Sequence, residues 1–344
     1  MSRAACSLLV LAWAAAAPRP APAVELCEGR YAMGTLLEVT LESSDRGVGL
    51  EHLTELYAIA ERLDALLTLY DPASQLSRLN AAAGRGPQQV DRDLAGVLRQ
   101  SIDFAAQTRG TFDVTVGPLV ALWRQAGLRG ALPTRGELAR ARARVGVDGL
   151  RVVSPTSAEL ARTGASIDLG GIAKGYALDR MAERLRGAGT AGALLSFGQS
   201  SLWAIGAPPG ADGWRILVRG PDGGYAGLVT LRDRAVSVSG SLGQSVEVGA
   251  RRYGHVIDPR SGRPLERPAV AMVLAPSAAE AEALSKALLV LGAREGLALL
   301  ESAPGREGIY IDAAGRSVAT RGWQAATRFE AAPRAPGRER RRAG

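Results

Sequence analysis

The sequence predicts an α+β fold. Three observations lead to it. Segments with apolar residues at helical spacing and short aliphatic strands come in mixed blocks, without the steady alternation that builds a parallel α/β sheet. Glycine is abundant, at 42 of 344 residues, which suits many turns and close backbone approaches. Hydrophobic residues make up 47% of the chain, enough for a large core in one or two domains, yet no stretch reaches the roughly 20 continuous apolar residues of a membrane span.

The chain opens with Met1-Ser2-Arg3, continues through the apolar Leu8–Ala17 and turns Pro- and Ala-rich up to Ala23. A basic start, a short apolar region and a small-x-small ending (Ala21-Pro22-Ala23) form the pattern of a secretory signal peptide over residues 1–23. Cys6 leaves with such a leader, so Cys27 stays alone and no intrachain disulfide can form. Val24-Glu25-Leu26 is a poor lipoprotein cleavage context ahead of Cys27. The expected form is therefore a free periplasmic or exported protein, with any inner-membrane association secondary.

Leu36–Leu41 reads as a strand, and Leu53, Leu56, Ala60, Leu63 and Leu67 then recur at helical spacing over His52–Leu69. Tyr70-Asp71-Pro72 stops that helix. Further helices are expected at Asp93–Thr108, ended by Gly110, and at Arg135–Val145, between Pro133 and Gly146. Ala165–Leu169 reads as a strand running into Gly170-Gly171 and the helix Ala173–Leu185. Short strands follow at Leu194–Phe197, Leu202–Ile205, Trp214–Val218, Gly227–Leu231, Ala235–Val238 and Val270–Leu274, separated by Gly/Pro/Asp turns. Two helices over Ala278–Leu291 and Glu295–Glu301 close the pattern. There are no repeats, so residues 24–332 form one expected domain, followed by a disordered Arg-rich tail over 333–344.

The formal charge of +8 invites a nucleic-acid partner, but its distribution argues against one. Five arginines against one glutamate sit in the tail, and Arg3 and Arg19 sit in the leader, which leaves the body only +2. That is no footprint for a duplex. Arginine has almost displaced lysine: of 42 basic residues only Lys174 and Lys286 are lysines, and His52 and His255 are the two histidines. A lysine retained against that bias suggests a position where a compact ammonium matters.

The most specific segment is Ile167-Asp168-Leu169-Gly170-Gly171-Ile172-Ala173-Lys174-Gly175-Tyr176-Ala177. A helix start offers free N–H groups and a positive dipole end, and glycines let a phosphate approach the backbone. An aspartate beside them would repel phosphate unless it meets a hydroxyl or amide or works beside a cation. Two readings stay open on the residues alone: a nucleotide site with a metal, or an ordinary strand–helix turn capped by Asp168.

This string resembles the hallmark of the ApbE-like FAD:protein FMN transferases. Four other stretches match the same family in order: Met33-Gly34-Thr35; Tyr70 through Ser77-Arg78-Leu79-Asn80; Phe112-Asp113-Val114-Thr115-Val116-Gly117-Pro118-Leu119; and His255-Val256-Ile257-Asp258-Pro259-Arg260-Ser261-Gly262-Arg263-Pro264. The resemblance spans roughly Tyr31 to Gly292 and implies a T-fold-like architecture of mixed strands and helices around a central flavin cleft. It implies a reaction in which a Ser/Thr hydroxyl of an acceptor protein, such as a redox-pump or electron-transfer subunit, attacks FAD and releases AMP. The implied flavin site falls on Met33, Tyr70, Thr111, Phe112, Asp113, Asp168, Lys174 and Val256. Tyr70, Phe112 and Met33 suit the flanks of flat rings, the aspartates suit ring N–H or ribose hydroxyls, and Lys174 suits a phosphate. His255 is the candidate general base, with Asp258 orienting it or its loop.

The implied Mg²⁺ site departs from the family's pattern. The resemblance assigns it the Gly171 carbonyl and the helix residues Glu282, Ser285 and Lys286, at i, i+3 and i+4. The family carries Asp and Thr where this chain has Glu282 and Lys286, and an ammonium cannot bind Mg²⁺. Either Glu282 and Lys286 are a plain helix pair, or Lys286 replaces part of the metal's charge. Gly198-Gln199-Ser200-Ser201 likewise stands where many relatives show Gly-Gly-Asn or Gly-Gly-Asp. Two other functions fit such a site: a non-catalytic periplasmic FAD-binding protein, and an FAD pyrophosphatase in which water replaces the hydroxyl.

Overall fold

The chain builds its core on one antiparallel sheet whose eight strands lie side by side in sequence order. They are β1 (Val24–Ala32), β2 (Thr35–Ser43), β3 (Gly192–Phe197), β4 (Ser201–Gly206), β5 (Arg234–Gly240), β6 (Ala269–Ala275), β7 (Glu307–Asp312) and β8 (Ser317–Ala319). The structure, a computed structural model, describes residues 24–331 apart from 189, 191, 222, 223, 244 and 250. The expected signal peptide and Arg-rich tail lie outside the described residues. The helices are insertions into this meander. Between β2 and β3 come α1 (Arg46–Leu67), α2 (Gln75–Ala81), α3 (Arg92–Gln107), α4 (Gly117–Arg129), α5 (Arg135–Arg142) and α6 (Ala173–Leu185), and between β6 and β7 comes α7 (Ala278–Glu301).

Strand β6 shows why the sheet is covered on both faces. All seven of its residues are buried, and they alternate between two clusters. Ala269, Ala271 and Val273 pack with Leu284 and Leu288 of α7. Val270, Met272 and Leu274 pack with Trp214, Val229 and Trp323 on the opposite face. That second face is closed by a small sheet of Trp214–Arg219, Tyr225–Leu231 and Glu330–Ala331 and by the short helix α8 (Trp323–Thr327). The first face carries α7 and α6, with α1 packed on α6 and on the β1–β2 edge.

The α6–α7 crossing is close enough to dictate sequence. A Cβ on Gly175 would stand 2.3 Å from the Ala278 carbonyl oxygen, so only glycine fits there. One turn along α6, Asp179 accepts hydrogen bonds from the backbone N–H of Ala278 (2.7 Å) and Ala279 (3.0 Å) and from the Trp203 indole (2.9 Å). It caps α7 from another helix and satisfies donors the helix cannot. The expected break within the last long helix takes the form of a kink at Gly292, where φ is 76°.

Three expected elements differ. The helix expected over His52–Leu69 runs from Arg46 to Leu67, because Asp45 caps it by accepting from the Val48 N–H. Ala165–Leu169 is not a strand; it is extended backbone with a single parallel bridge, Ser166 to Val116. Ladder partners are replaced by a side chain: Asn80 accepts from the Ile167 N–H (2.7 Å) and donates to its carbonyl (3.0 Å). The helix expected over Arg135–Val145 ends at Arg142, three residues early. Its start carries a capping box between Thr134 and Glu137.

Candidate functional site

The turn that follows the extended segment, α4 and Lys286 of α7 contribute to a cavity of about 270 Å³. One wall is the turn Asp168-Leu169-Gly170-Gly171. The Asp168 carboxylate accepts from the Gly170 N–H (2.8 Å), and the Asp168 N–H donates to the Val114 carbonyl (2.7 Å). The turn is thus tied to the neighbouring wall, the loop of Thr111, Phe112, Asp113 and Val114. A third wall is the run His255–Ile257 with Pro259, and α4 supplies Val116, Val120 and Arg124. Tyr70, just beyond α1, stands at the rim with 84% of its surface exposed.

Within the loop, Phe112 is buried and places its ring edge 3.3 Å from where a Cβ on Gly171 would stand. The Thr111 hydroxyl donates to the Thr108 carbonyl (2.8 Å) and the Phe112 N–H donates to the Thr108 hydroxyl (3.2 Å), so both residues are held by the end of α3. Asp113 turns its carboxylate inward. One oxygen accepts from the Thr115 N–H (2.8 Å) and hydroxyl (2.7 Å), and the other accepts from the Val147 N–H (3.0 Å). Burial raises its pKa against the pull of those hydrogen bonds.

His255 is exposed, and the buried Val256 beside it faces the cavity. The Asp258 carboxylate is engaged by the Arg260 N–H and guanidinium, both at 3.0 Å, and the Asp258 carbonyl accepts from Gly262 (2.8 Å). Of the two tasks the sequence left open for Asp258, this geometry serves the loop. Trp123 of α4 fastens the same turn by donating to the Gly262 carbonyl (2.9 Å).

Met33 and Lys174 do not line this cavity. Met33 occupies the β1–β2 turn with φ 51°, where its N–H donates to Asp64 (2.7 Å) and its side chain packs on the main core. Lys174, on the first turn of α6, lies 3.3 Å from a carboxylate oxygen of Glu282. Lys286 does line the cavity: its Cε lies 3.9 Å from the place of a Cβ on Gly171. The Lys286 ammonium is pushed down to about 8 by burial, with Lys174 adding to the shift and Glu282 opposing it.

The donor set assigned to Mg²⁺ does not fit that ion. Glu282 is fully buried, and both carboxylate oxygens already have donors: Ser201 Oγ and Lys174 Nζ on one, the Gly175 N–H (3.0 Å) on the other. Burial pulls its pKa up, but the ammoniums of Lys174 and Lys286 with these hydrogen bonds hold it below the usual carboxylate value. The Ser285 hydroxyl donates to the Glu282 carbonyl (2.9 Å) and sits against Ser239 (2.8 Å) and Ser237 (3.2 Å) of β5. With Lys286 an ammonium, Gly171 alone keeps a free role, against the roughly six oxygen ligands Mg²⁺ demands. The glutamate at this position ties α6, α7 and β4 together.

Sequence reasoning missed α4, and with it Val120 and Arg124. The signals were present: Leu119, Trp123 and Ala126 share one helix face, Pro118 opens the helix, and Gly130 follows its end with φ 67°.

A family model described as the ApbE family matches residues 33–310. A Salmonella typhimurium protein named FAD:protein FMN transferase is 31% identical over 299 residues, covering 84% of each chain. A Treponema pallidum protein of the same name is 30% identical over 309 residues, covering 83% of this chain and 84% of its own. Among solved structures, the flavin transferase ApbE from Vibrio cholerae superposes with a TM-score of 0.77 at 25% identity, covering 89% of this chain and all of that one. The apo flavinyl transferase ApbE from Pseudomonas stutzeri gives 0.77 at 29% identity, covering 88% and 97%.

Proposed function

The chain belongs to the ApbE family, and from that premise we propose that it transfers the FMN half of FAD to a Ser or Thr hydroxyl of an acceptor protein, releasing AMP. The observation that carries the proposal is convergence: Tyr70, Phe112, Asp168, Gly171, Val256 and His255, from four of the five motif segments, line one cavity. Phe112, Val114, Val120 and Val256 offer apolar walls for a flat ring system, with Tyr70 free at the rim to close over it. The Gly170-Gly171 turn and the start of α6 suit the diphosphate. The exposed His255 is placed to take the proton of an incoming hydroxyl. The hydroxyl oxygen forms the new bond to the FMN phosphorus as the bond to the bridging oxygen breaks. That oxygen leaves with AMP, carrying the electron pair. No step is assigned to Mg²⁺, because Glu282, Ser285 and Lys286 do not offer it ligands.

The leader pattern over residues 1–23 supports a periplasmic or exported location, and so an acceptor among exported or membrane redox proteins. Among the described residues no helix is long and apolar enough to cross a membrane. The test is incubation with FAD and a Thr-containing acceptor peptide, in Mg²⁺ and separately in EDTA, read by mass spectrometry and AMP release. A covalent FMN adduct with AMP is the expected result. FAD retained without AMP, or free FMN with AMP and no adduct, would replace the transferase reading with storage or hydrolysis.

A further inference from the structure

We propose that Lys286 is the built-in counter-cation of the FAD diphosphate, so that this protein binds its substrate without a divalent ion; the inference rests on the flavin-site reading above. Three independent features of the cavity converge on it. First, the donors a metal would need are consumed: Glu282 by Ser201, Lys174 and Gly175, and Ser285 by the Glu282 carbonyl and β5. Second, Lys286 is not the helix partner of Glu282. That carboxylate takes its ion pair from Lys174, and among the described residues Lys286 has no carboxylate within ion-pairing distance. Third, the Lys286 stem is half-buried and runs beside Gly171, the glycine at the turn that opens α6.

A half-buried ammonium with no carboxylate in ion-pairing contact, sharing the field of one glutamate with a second lysine, is costly unless a ligand offsets the cost. The ligand must be an anion, must reach the glycine turn and must leave the apolar walls to something flat. A dinucleotide diphosphate satisfies all three. The division of labour is then clear from the two lysines of the chain: Lys174 balances the buried glutamate, and Lys286 faces the substrate.

The test is titration of FAD and of riboflavin, which lacks phosphate, by fluorescence in EDTA and in millimolar Mg²⁺. Wild type should bind FAD within about threefold in the two conditions. Lys286→Met, which keeps the stem and removes the charge, should weaken FAD by about tenfold or more and riboflavin by less than about twofold. Lys286→Arg should recover part of the loss and serves as the second variant if the methionine form misfolds. Wild type that loses about tenfold or more of its FAD affinity in EDTA overturns the proposal and leaves the flavin site standing, as does Lys286→Met binding FAD like wild type. Wild type that binds neither FAD nor riboflavin brings down the flavin-site reading, and this inference with it.

Discussion

His255 stands exposed at the cavity mouth while its neighbour Val256 is buried in the wall, an arrangement that fits a group meeting an incoming partner more than a group holding the ligand. His255→Ala should therefore leave FAD affinity within a few-fold and cut transfer by about a hundredfold or more. Single-turnover transfer at saturating FAD reads the difference, and an unchanged rate would remove His255 from the reaction. Asp168 belongs to the opposite class. Its carboxylate holds the Gly170 N–H and so shapes the turn that faces the diphosphate. Asp168→Ala should weaken FAD binding by about tenfold, the worth of one charge-assisted hydrogen bond and the order it imposes. Flavin titration at wild-type affinity would sink that assignment.

The hallmark segment does two jobs, and the element scale separates them. Asp168, Gly170 and Gly171 face the cavity, whereas Lys174 and Gly175, with Asp179 just beyond the segment, hold α6 against α7. Gly175→Ala should cost about 1–3 kcal/mol by urea unfolding, because the added methyl meets backbone that cannot swing aside. Wild-type stability in that variant would mean that α7 shifts freely. The same division explains what the sequence made legible. The inner strands and most long helices could be read from periodicity, whereas the strands Val24–Ala32 and Glu307–Asp312 and helix α4 were not, and four of the five motifs named the cavity walls because short loops carry them intact. The partner of Lys174 could not be read, since it depends on a crossing that brings Gly175 and Glu282 together across 107 positions. Ala165–Leu169 misled for a local reason: its apolar run is buried, but a side chain, Asn80, takes the place of a pairing strand.

At the scale of the whole molecule, Glu282 is the point where α6, α7 and β4 meet, and its charge state should be readable in global stability. Glu282→Gln leaves Lys174 without its partner. The loss should be about 1–3 kcal/mol, less than for a fully enclosed pair because the Lys174 side chain is 22% exposed. Because the folded pKa of Glu282 is depressed below the ordinary 4.5, its contribution is complete above that pH and is withdrawn as pH falls through the folded value. Asp113 and Asp179 act the other way. Burial raises both above the ordinary 3.8, so the cost of their ionised forms is relieved as acid protonates them. The raw acid curve of the wild type therefore mixes opposed slopes. The difference between wild type and Glu282→Gln cancels the aspartates and isolates the glutamate. Urea unfolding of both proteins from about pH 3 to 7 should show that difference constant above about 4.5 and shrinking below it, by no more than about 1.4 kcal/mol per pH unit for one proton. A difference that stays flat down to pH 3 would mean that Glu282 is not an ionised, paired group in the folded protein. The assignment of Lys174 as the partner of Glu282 would then have to be withdrawn.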